Sequence, residues 1–453
     1  MIKNYFSAHN HTDYSSIKGL DSIISVKEMI DTAIKLGMKG CAITDHETVA
    51  GHVKALNYYN EIKKEHPDFK LVLGNEIYLT RNGLSAANYE KKKDRFWHFL
   101  LLAKNKKGHD QLRELSSIAW KENYFKQFVE RVPTYFKNVE KVIGENKGNL
   151  VASTACLGSF FSNMILKPME DIESTIALDE FVDWCLKMFP NDFYIELQPS
   201  ETKEQITYNK RAIKYAKKRN IPLIITTDSH YALKEDRPIH KAYLNANNSE
   251  REVDAFYSST YMMTWDQIIE YCKYIPDEVM EEIRNNTLEI ESKCEDYLLD
   301  NAQKIPVIPQ KEIYKKHNKI YEQENKNYPY ITKYLTSPHE KDVVFANKLI
   351  EKLNVYCAGR PQEWAAARKD RLEEELAECW ETSEKLGERV SAYFTTMEKI
   401  MEIAWEEVKT IVGPGRGSVF GMLTAFLLEI IQEDPLNNPI DPPSWRLTLV
   451  SLM

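Results

Sequence analysis

Short apolar runs alternate with amphipathic stretches rich in lysine and glutamate over the first 240 residues. The stretches have the period of helices, and the runs have the length and composition of strands. In chain order the seven runs are YFSAH, GCAITDH, LVLGNEIYL, WHFLLLA, LVASTAC, FYIELQ and PLIITTDSH. Strands that alternate with helices form mostly parallel sheets. The pattern therefore predicts an α/β fold built on an open sheet or a barrel.

The pattern changes after about residue 250. A helical period returns from Thr264 to Leu299 and again from Asp342 to Thr410. The stretch between these two segments is polar, aperiodic and rich in Asn, Lys and Tyr, which predicts an extended connector or long loop. We therefore expect three regions: 1–250, then a helical segment and connector over 251–341, then a mostly helical α+β region over 342–453.

Composition indicates a folded chain of more than one domain, because 43% of the 453 residues are hydrophobic and 28% are charged. The longest apolar stretch, from Ser418, is too short to span a bilayer and contains Glu429, so no membrane partner is expected. Seven cysteines without a CxxC pair, and no apolar leader at the N-terminus, predict reduced thiols and a cytoplasmic location. The net charge of −8 leaves room for a local basic groove that binds nucleic acid.

Metal-binding residue types lie at the ends of the predicted strands. They are His9 and His11 in or after the first run, Asp45 and His46 at the end of the second, Glu76 in the third, Cys156 at the end of the fifth, Glu196 in the sixth, and Asp228 and His230 in the seventh. His98 begins the fourth run, which fits only if that strand runs opposite to its neighbours. Taken singly, Cys156 could be a buried apolar residue, Asp45 a turn cap and His98 a core histidine.

The number of these residues exceeds what one ion takes, so the pattern predicts a cluster of about two to three ions bridged by carboxylates. Imidazole, carboxylate and thiolate are ligands for zinc and related metals. Clusters of this kind hydrolyse phosphate esters. The sequence thus favours a metal-dependent phosphoesterase.

Six motifs carry a resemblance to a known family. They are HNHTDYS from His9, TDH ending at His46, GNE ending at Glu76, the histidine before FLLLAKN, CLG from Cys156 and DSHY from Asp228. Together they resemble the polymerase and histidinol phosphatase (PHP) domain, in the version found at the N-terminus of bacterial C-family replicative polymerases, the DNA polymerase III alpha subunits. The resemblance is weakest from about residue 302 to 390 and resumes at VGPGRGSVFGMLTAFLLEIIQEDPL, which is similar to the start of that polymerase's palm.

The resemblance implies a distorted seven-stranded β/α barrel with a trinuclear metal site. The implied ligands are His9, His11, His46, Glu76, His98, Cys156, Asp228 and His230, and among them His9, His11, Glu76 and Asp228 would be catalytic. The ions would be zinc or manganese, with magnesium or iron as alternatives. The family acts as a phosphatase or a 3′–5′ exonuclease, although in some members the site has decayed into a structural module.

The family's ninth ligand is an aspartate before the glycine of the first motif, where this chain has Lys18 before Gly19. A protonated ammonium cannot bind a metal. One of the three ion positions is therefore expected to be weak or empty. Lys18→Asp is then expected to raise metal content and hydrolysis together.

A glycine-rich loop, GPGRGS, precedes the apolar stretch from Ser418. Glycines allow close approach of a ligand to the backbone, a helix N-terminus favours an anion, and Ser418 could cap that helix. The alternative is an ordinary turn before a buried helix. The resemblance implies that the incoming nucleotide's triphosphate contacts Gly413, Gly415, Arg416, Gly417 and Ser418.

The expected function is that of the N-terminal portion of a DNA polymerase III alpha-like subunit, with DNA as partner and the sliding clamp and other replisome proteins as further candidates. The family's catalytic carboxylates follow a DP element, present here as Asp434-Pro435, but Asp441 stands alone after it. We therefore expect no DNA synthesis by this chain alone, Mg²⁺ and dNTP binding only with the remaining polymerase part, and a second polypeptide that supplies it. That polypeptide would cover an exposed apolar helix over Val419–Ile431. The alternatives are a free-standing phosphatase of small phosphate esters and a structural metal-binding docking module.

Overall fold

The computed structural model describes residues 4–17, 20–91, 93–126, 130–144, 146–168, 170–246, 254–299, 304–415 and 417–437. The chain divides into two compact units, unit 1 over residues 1–299 and unit 2 over residues 300–453. The division falls at neither of the expected boundaries, 250 and 341. The helical segment after residue 250 belongs to unit 1 because its last helix packs on the first and last strands of the sheet.

Each of the seven predicted runs of unit 1 forms a strand, and three further short strands lie between the fourth and fifth runs. The strands are β1 (Phe6–Ser7), β2 (Gly40–Ile43), β3 (Lys70–Thr80), β4 (Trp97–Ala103), β5 (Phe125–Lys126), β6 (Glu130–Arg131), β7 (Thr134–Tyr135), β8 (Leu150–Ser153), β9 (Phe193–Leu197) and β10 (Leu223–Ile225). The sheet order is β1-β2-β3-β4-β8-β9-β10, with β7 added beside β3, while β5 and β6 form a separate pair. The α/β prediction is confirmed.

Strand β4 runs antiparallel to both β3 and β8, whereas the other neighbours along this order are parallel. The first residues of β4 therefore lie at the same edge as the last residues of the parallel strands. This direction explains why His98 stands at the start of its run. His98 was expected to join the other candidate ligands only if its strand ran opposite to its neighbours, and β4 does so.

The sheet curls so that its first and last strands approach each other at the carboxyl edge. Asn10 and Ser229 form a parallel bridge there, and the His11 N–H donates to the Ser229 carbonyl at 2.8 Å. Inside the curl, small and branched side chains such as Ala8, Ala42 and Val72 pack in a buried cluster. The curl brings strand ends that are far apart in sequence to one edge, as the expected distorted barrel requires.

Helices cover the outer face of the sheet. Those of unit 1 are α1 (Val26–Lys35), α2 (His52–Ile62), α3 (Lys106–Ile118), α4 (Phe136–Ile143), α5 (Phe160–Ile165), α6 (Ile172–Met188), α7 (Lys203–Arg219), α8 (Arg237–Leu244), α9 (Asp254–Tyr257), α10 (Trp265–Tyr271) and α11 (Asp277–Lys293). Helix α1 shows why such segments begin where they do: Ser25 accepts from the Glu28 N–H, and the Glu28 carboxylate faces the Ser25 N–H in a capping box.

The described part of unit 2 is helical and contains no strand, so the β component of the predicted α+β region is not found there. Its helices are α12 (Glu312–Lys315), α13 (Lys319–Glu324), α14 (Pro329–Leu335), α15 (Glu340–Cys357), α16 (Gln362–Leu386), α17 (Ser391–Glu402) and α18 (Leu423–Leu427). The predicted connector was wrong, since α12, α13 and α14 lie within it. Ile331, Tyr334 and Leu335 share one helix face and are buried in the core of unit 2.

The apolar stretch after the glycine loop is not the exposed helix that the sequence predicted. A 3₁₀ turn over Ser418–Gly421 precedes α18, and Leu423, Leu427 and Ile431 are buried in the core of unit 2. Helices α15 and α16 already pack against α18. The apolar side chains of this described stretch are therefore covered by other parts of unit 2. Among the residues that the structure describes, no helix has both the length and the apolar character needed to cross a membrane.

Candidate metal centre

Ligand-type atoms of eight residues gather at the carboxyl edge of the curled sheet in three overlapping groups. The groups are His11, Asp21, His46 and His230; then His9, His11 and Asp228; then His46, Glu76 and His98. Within each group the candidate atoms lie within 4.8 Å of one another. The structure thus brings together seven of the eight predicted ligands and adds Asp21.

Glu76 lies at the middle of the cluster and is completely buried. Its Oε1 atom is 3.0 Å from His98 Nδ1 and 3.4 Å from His9 Nε2. Its Oε2 atom is 2.7 Å from His46 Nδ1 and 3.5 Å from His11 Nε2. A carboxylate in this position would help to hold bound metal ions together with the surrounding histidines.

Three of the histidines are held from outside the cluster through Nδ1, so that Nε2 faces inward. The partners of Nδ1 are the Glu196 carboxylate for His9 at 2.8 Å, the Ser15 hydroxyl for His11 at 3.0 Å and the Asp228 carbonyl for His230 at 2.7 Å. Outer contacts of this kind fix the ring orientation of histidines that bind metals and leave the inner nitrogen unprotonated. The residues present therefore fit a metal site.

The inner nitrogens of His9 and His11 lie only 3.1 Å apart. If both rings are neutral and donate their Nδ1 hydrogens outward, the two Nε2 atoms face each other as acceptors, and a nearby cation or a proton on His9 would relieve the repulsion. Three buried carboxylate oxygens also indicate a cation site. Among the described residues, Asp21 Oδ2, Glu76 Oε2 and Asp228 Oδ1 accept no well-formed hydrogen bond. A shared cation would satisfy all of these atoms.

The pKa values in the cluster keep the carboxylates charged and divide the histidines. Burial would lower the pKa values of His9 and His46, but the neighbouring carboxylates outweigh it, holding the pKa of His9 well above its usual value and raising that of His46 to about 10. Burial, together with the neighbouring rings of His46 and His230, lowers the pKa of His11 to about 3. Burial alone would raise the pKa of Asp21, but the imidazoles of His230 and His46 outweigh it and hold that pKa well below its usual value. Metal binding requires neutral imidazole beside ionised carboxylate, so an ion would displace protons from His9 and His46.

Asp21 is the ligand-type residue that the sequence analysis missed. One of its carboxylate oxygens lies 3.2 Å from His46 Nε2 and the other 3.5 Å from His230 Nε2. Its backbone carbonyl accepts from the His240 Nε2–H at 2.7 Å, which fixes the position of the segment. Lys18 and Gly19 lie outside the described residues. A search for acidic residues within a few positions of Lys18 and Gly19 would have identified Asp21 in the sequence. Its distance along the chain from those two residues, however, gives no reason to prefer it as a ligand.

Cys156 lies beside the three groups rather than in them. Its Sγ atom is 3.3 Å from His98 Nδ1 and accepts from the Gly158 N–H at 3.3 Å. Burial, followed by the nearby carboxylates, raises the pKa of this thiol well above its usual value. A side chain at Gly158 would come within 3.0 Å of the His98 ring, so glycine makes room for that ligand. A metal ion would be needed to keep the sulfur as thiolate.

Left-handed backbone marks the strand ends that carry ligands. Glu47 (φ 57°) follows His46, Ala155 (φ 57°) precedes Cys156, and Asp228 itself has φ 47°. Such conformations cost about 1 kcal/mol or more for residues other than glycine and persist where surrounding contacts impose them. Here they turn the chain sharply next to His46 and Cys156 and at Asp228, of which His46 and Asp228 belong to the three groups.

Asp45, a turn cap in one of the sequence alternatives, supports the cluster from behind. Its carboxylate accepts from the Thr12 N–H at 2.6 Å and from the Ser15 hydroxyl at 2.8 Å. These bonds hold the segment that carries His11 against the end of β2. Burial raises the pKa of Asp45 to about 6. The residue orders the first motif and does not face the cluster.

The glycine loop packs against its own unit. Gly415 has φ 126°, and a Cβ atom there would lie 2.8 Å from side-chain atoms of Ile431 and Phe420. Arg416 lies outside the described residues, and the same holds for the Ser418 side chain. The contacts seen at Gly415 are those of a turn before a buried segment, which was the alternative to a nucleotide site.

The N–H groups at the start of α18 are already bonded. Leu423 and Thr424 each donate a backbone hydrogen bond of 2.8 Å to the buried carboxylate of Glu375, and Arg371 Nε donates to the same carboxylate at 2.7 Å. The Ser418 position therefore does not cap this helix. Nucleotide contact by the loop stays a prediction.

Asp434, in the DP element, forms a buried ion pair. It accepts from Arg368 Nε at 2.9 Å and Nη2 at 2.7 Å, and from the Tyr356 hydroxyl at 2.9 Å. Asp441, the other acid considered in the sequence, lies outside the described residues. Asp434 thus connects the segment after α18 to α16.

Comparison with known proteins assigns both units. Residues 7–200 match the family model of the PHP domain, and residues 343–442 match that of the bacterial DNA polymerase III alpha NTPase domain. The DNA-directed DNA polymerase of Bacillus phage SPbeta is 39% identical over 97% of this chain. The chain contains a PHP domain and a bacterial DNA polymerase III alpha domain. The PHP match ends at residue 200, so the structure adds Asp228 and His230 to the site from beyond it.

Cellular relatives show the same coverage. The DNA polymerase III alpha subunits of Borreliella burgdorferi and Aquifex aeolicus are both 28% identical, over 95% and 97% of this chain. The chain spans about a third of the length of these relatives, 35% for the phage protein and 33% and 34% for the two subunits. Among solved structures, an amidohydrolase from Chromobacterium violaceum aligns with 50% of this chain and 88% of its own at 12% identity and a TM-score of 0.32, which is too distant to support a functional argument.

Proposed function

We propose that unit 1 binds about two to three divalent metal ions and hydrolyses phosphodiesters of DNA in the manner of a 3′–5′ exonuclease. The ions would be zinc or manganese, with magnesium or iron as alternatives. The observation that carries the proposal is the inward-facing Nε2 atoms of His9, His11 and His230, held in that orientation by outer partners on Nδ1. DNA is proposed as the substrate because the relatives of this chain are named as DNA polymerases.

The three groups would supply the ligands of three ion positions. Bound divalent ions supply Lewis acidity and a nucleophile at neutral pH. Glu76 joins the positions, because its two oxygens face histidines of all three groups. His9, His11 and Asp228 are nearly or fully buried and hold the inner side of the centre, where they exclude bulk water.

Access to the centre is from one side. The side chains of Asp21, His46 and His98 are 15%, 12% and 24% exposed, whereas those of the other residues in the groups are exposed by 4% or less. A phosphodiester would therefore approach the pair of positions that share His46. Cys156 lies beside this opening through its contact with His98.

The test combines metal content with hydrolysis. Protein purified without chelators is subjected to elemental analysis and then incubated with an oligonucleotide labelled at its 5′ end, and the products are separated by length. We expect a stepwise ladder from the 3′ end, lost in Glu76→Gln together with most of the metal. Glu61→Gln, an exposed substitution of the same chemistry, should leave both unchanged.

Two outcomes would support the alternatives instead. Bound metal with an intact oligonucleotide would indicate a structural docking module. Release of phosphate from small monoesters, with the oligonucleotide intact, would indicate a phosphatase. Less than half an ion per chain would refute the metal centre itself.

A further inference from the structure

Two exposed aromatic side chains lie side by side at the end of α3. The rings of Trp120 and Tyr124 are nearly parallel, with centroids 6.1 Å apart and an interplanar angle of 8°. Their exposed fractions are 38% and 42%. Trp120 belongs to a π-helical turn over Ala119–Asn123, a widened geometry that occurs often at functional sites. We call Trp120 and Tyr124 the aromatic platform.

The aromatic platform is tied to the metal centre by hydrogen bonds. The indole Nε1–H of Trp120 donates to the Glu47 carbonyl at 2.9 Å. Glu47 is the residue after His46, and its N–H donates to the Glu76 carbonyl at 2.9 Å. A single hydrogen bond thus separates the platform from the segment that carries one ligand, and a second leads to the backbone of the central carboxylate.

The aromatic platform is bonded to the residue that follows His46, and His46 is one of the partly exposed residues at the opening. His46 and His98 are the histidines of the cluster that reach solvent, and Tyr78 stacks on His98 with a centroid distance of 4.8 Å. The guanidinium of Arg131 lies 5.2 Å from the Tyr78 ring centroid. A nearly buried ring and a cation therefore lie next to His98, and with the exposed rings of the aromatic platform they supply the aromatic and basic side chains that bind single-stranded nucleic acid.

We propose that the aromatic platform stacks on bases of single-stranded nucleic acid and guides its end into the metal centre. The proposal deepens and rests on the proposed function, since it names the form of nucleic acid that reaches the site. In a duplex, neighbouring bases cover each base face, so only unpaired bases can stack on Trp120 and Tyr124. Stacking is tolerant of sequence, because every base has a π face.

The test compares two probes that differ only in their bases. One is a short oligothymidylate, and the other is an abasic chain of the same length, both with phosphorothioate linkages that resist hydrolysis. Binding to the full chain is followed by fluorescence anisotropy. We expect the oligothymidylate to bind at least about 5-fold more tightly than the abasic chain.

Variants locate the preference. Trp120→Ala and Tyr124→Ala should each remove most of the preference for bases while leaving the affinity for the abasic chain unchanged. Tyr124→Phe keeps the ring and should bind like the unaltered protein. If Trp120→Ala fails to fold, the comparison of Tyr124→Ala with Tyr124→Phe still tests the stacking role. Trp405→Ala is the matched control, because Trp405 lies in unit 2 and is 39% exposed.

The outcomes separate this inference from the proposed function. Equal binding of both probes, or equal losses for both probes in the two alanine variants, would overturn the stacking role even if the chain hydrolyses DNA. A preference for bases that depends on Trp120 and Tyr124, found together with an inactive metal centre, would support the stacking role and overturn hydrolysis.

Discussion

Asp21→Asn should remove one ion from the metal centre and leave the others in place. Asp21 belongs to the first group alone, together with His11, His46 and His230. The amide keeps the size of the side chain but loses its charge, and its carboxylate lies 3.2 Å from His46 Nε2. The other two groups contain Glu76 and Asp228 as their acids and do not depend on Asp21.

The expected size of the effect follows from what one carboxylate contributes. Loss of an outer contact to a metal ligand already weakens metal binding by about 10- to 100-fold, and loss of a direct ligand costs at least as much. A 100-fold loss corresponds to about 2.7 kcal/mol. Dialysis against a free metal concentration between the two dissociation constants should therefore lower the metal content by about one ion per chain.

The measurement is elemental analysis after that dialysis, with Asp13→Asn as control. Asp13 lies in the same segment and is exposed. Equal metal content in Asp21→Asn and the unaltered protein would refute the role of Asp21. Because Asp21 supplies an acid near the position where the family has its ninth ligand, we now expect Lys18→Asp to leave the metal content unchanged, and a rise would favour the original expectation.

Three further predictions concern other residues. Cys156→Ser should abolish the thiolate-to-metal absorption of cobalt-loaded protein; an unchanged spectrum would exclude sulfur as a ligand. Glu375→Gln should lower the free energy of unfolding of unit 2 by about 1–3 kcal/mol in denaturant titrations, whereas exposed Glu374→Gln should not. Burial lowers the pKa of His52 to about 3 and of His109 to about 4, from 6.5, so unfolding should cost less as the pH falls below 6.5. At pH 5 the free energy of unfolding should be lower by on the order of 2 kcal/mol per histidine than at neutral pH. In calorimetry, the double variant His52→Gln/His109→Gln should show an unfolding temperature that depends less on pH.

The sequence by itself determined the seven main strands of the curled sheet and most of the candidate ligands. Strand formation depends on local period and composition, so seven apolar runs were enough to locate these strands, whereas the two-residue strands β5, β6 and β7 were not predicted. His9, His11 and His46 could be recognised because their residue types and their places after strand ends are visible in the chain. Even the reversed direction of β4 was implied by the position of His98.

Only the tertiary structure decided which residues from outside the motifs join the site. Asp21 enters the centre because the chain after the first motif returns to His46 and His230, and Trp120 comes near because the end of α3 reaches Glu47. Neither contact leaves a periodic signal in the sequence, since each joins residues that are distant along the chain.

The structure likewise decided the form of the polar segment and the apolar stretch in unit 2. Ile331, Tyr334 and Leu335 are too few to dominate the polar composition around them, yet they suffice to bury one face of α14. The stretch after the glycine loop has the composition of a long helix, but Glu375 bonds the N–H groups at Leu423 and Thr424 and fixes the start of α18 there. Local sequence sets what a segment can form, whereas burial against distant partners sets what it does form, because the free energy of packing exceeds local preference.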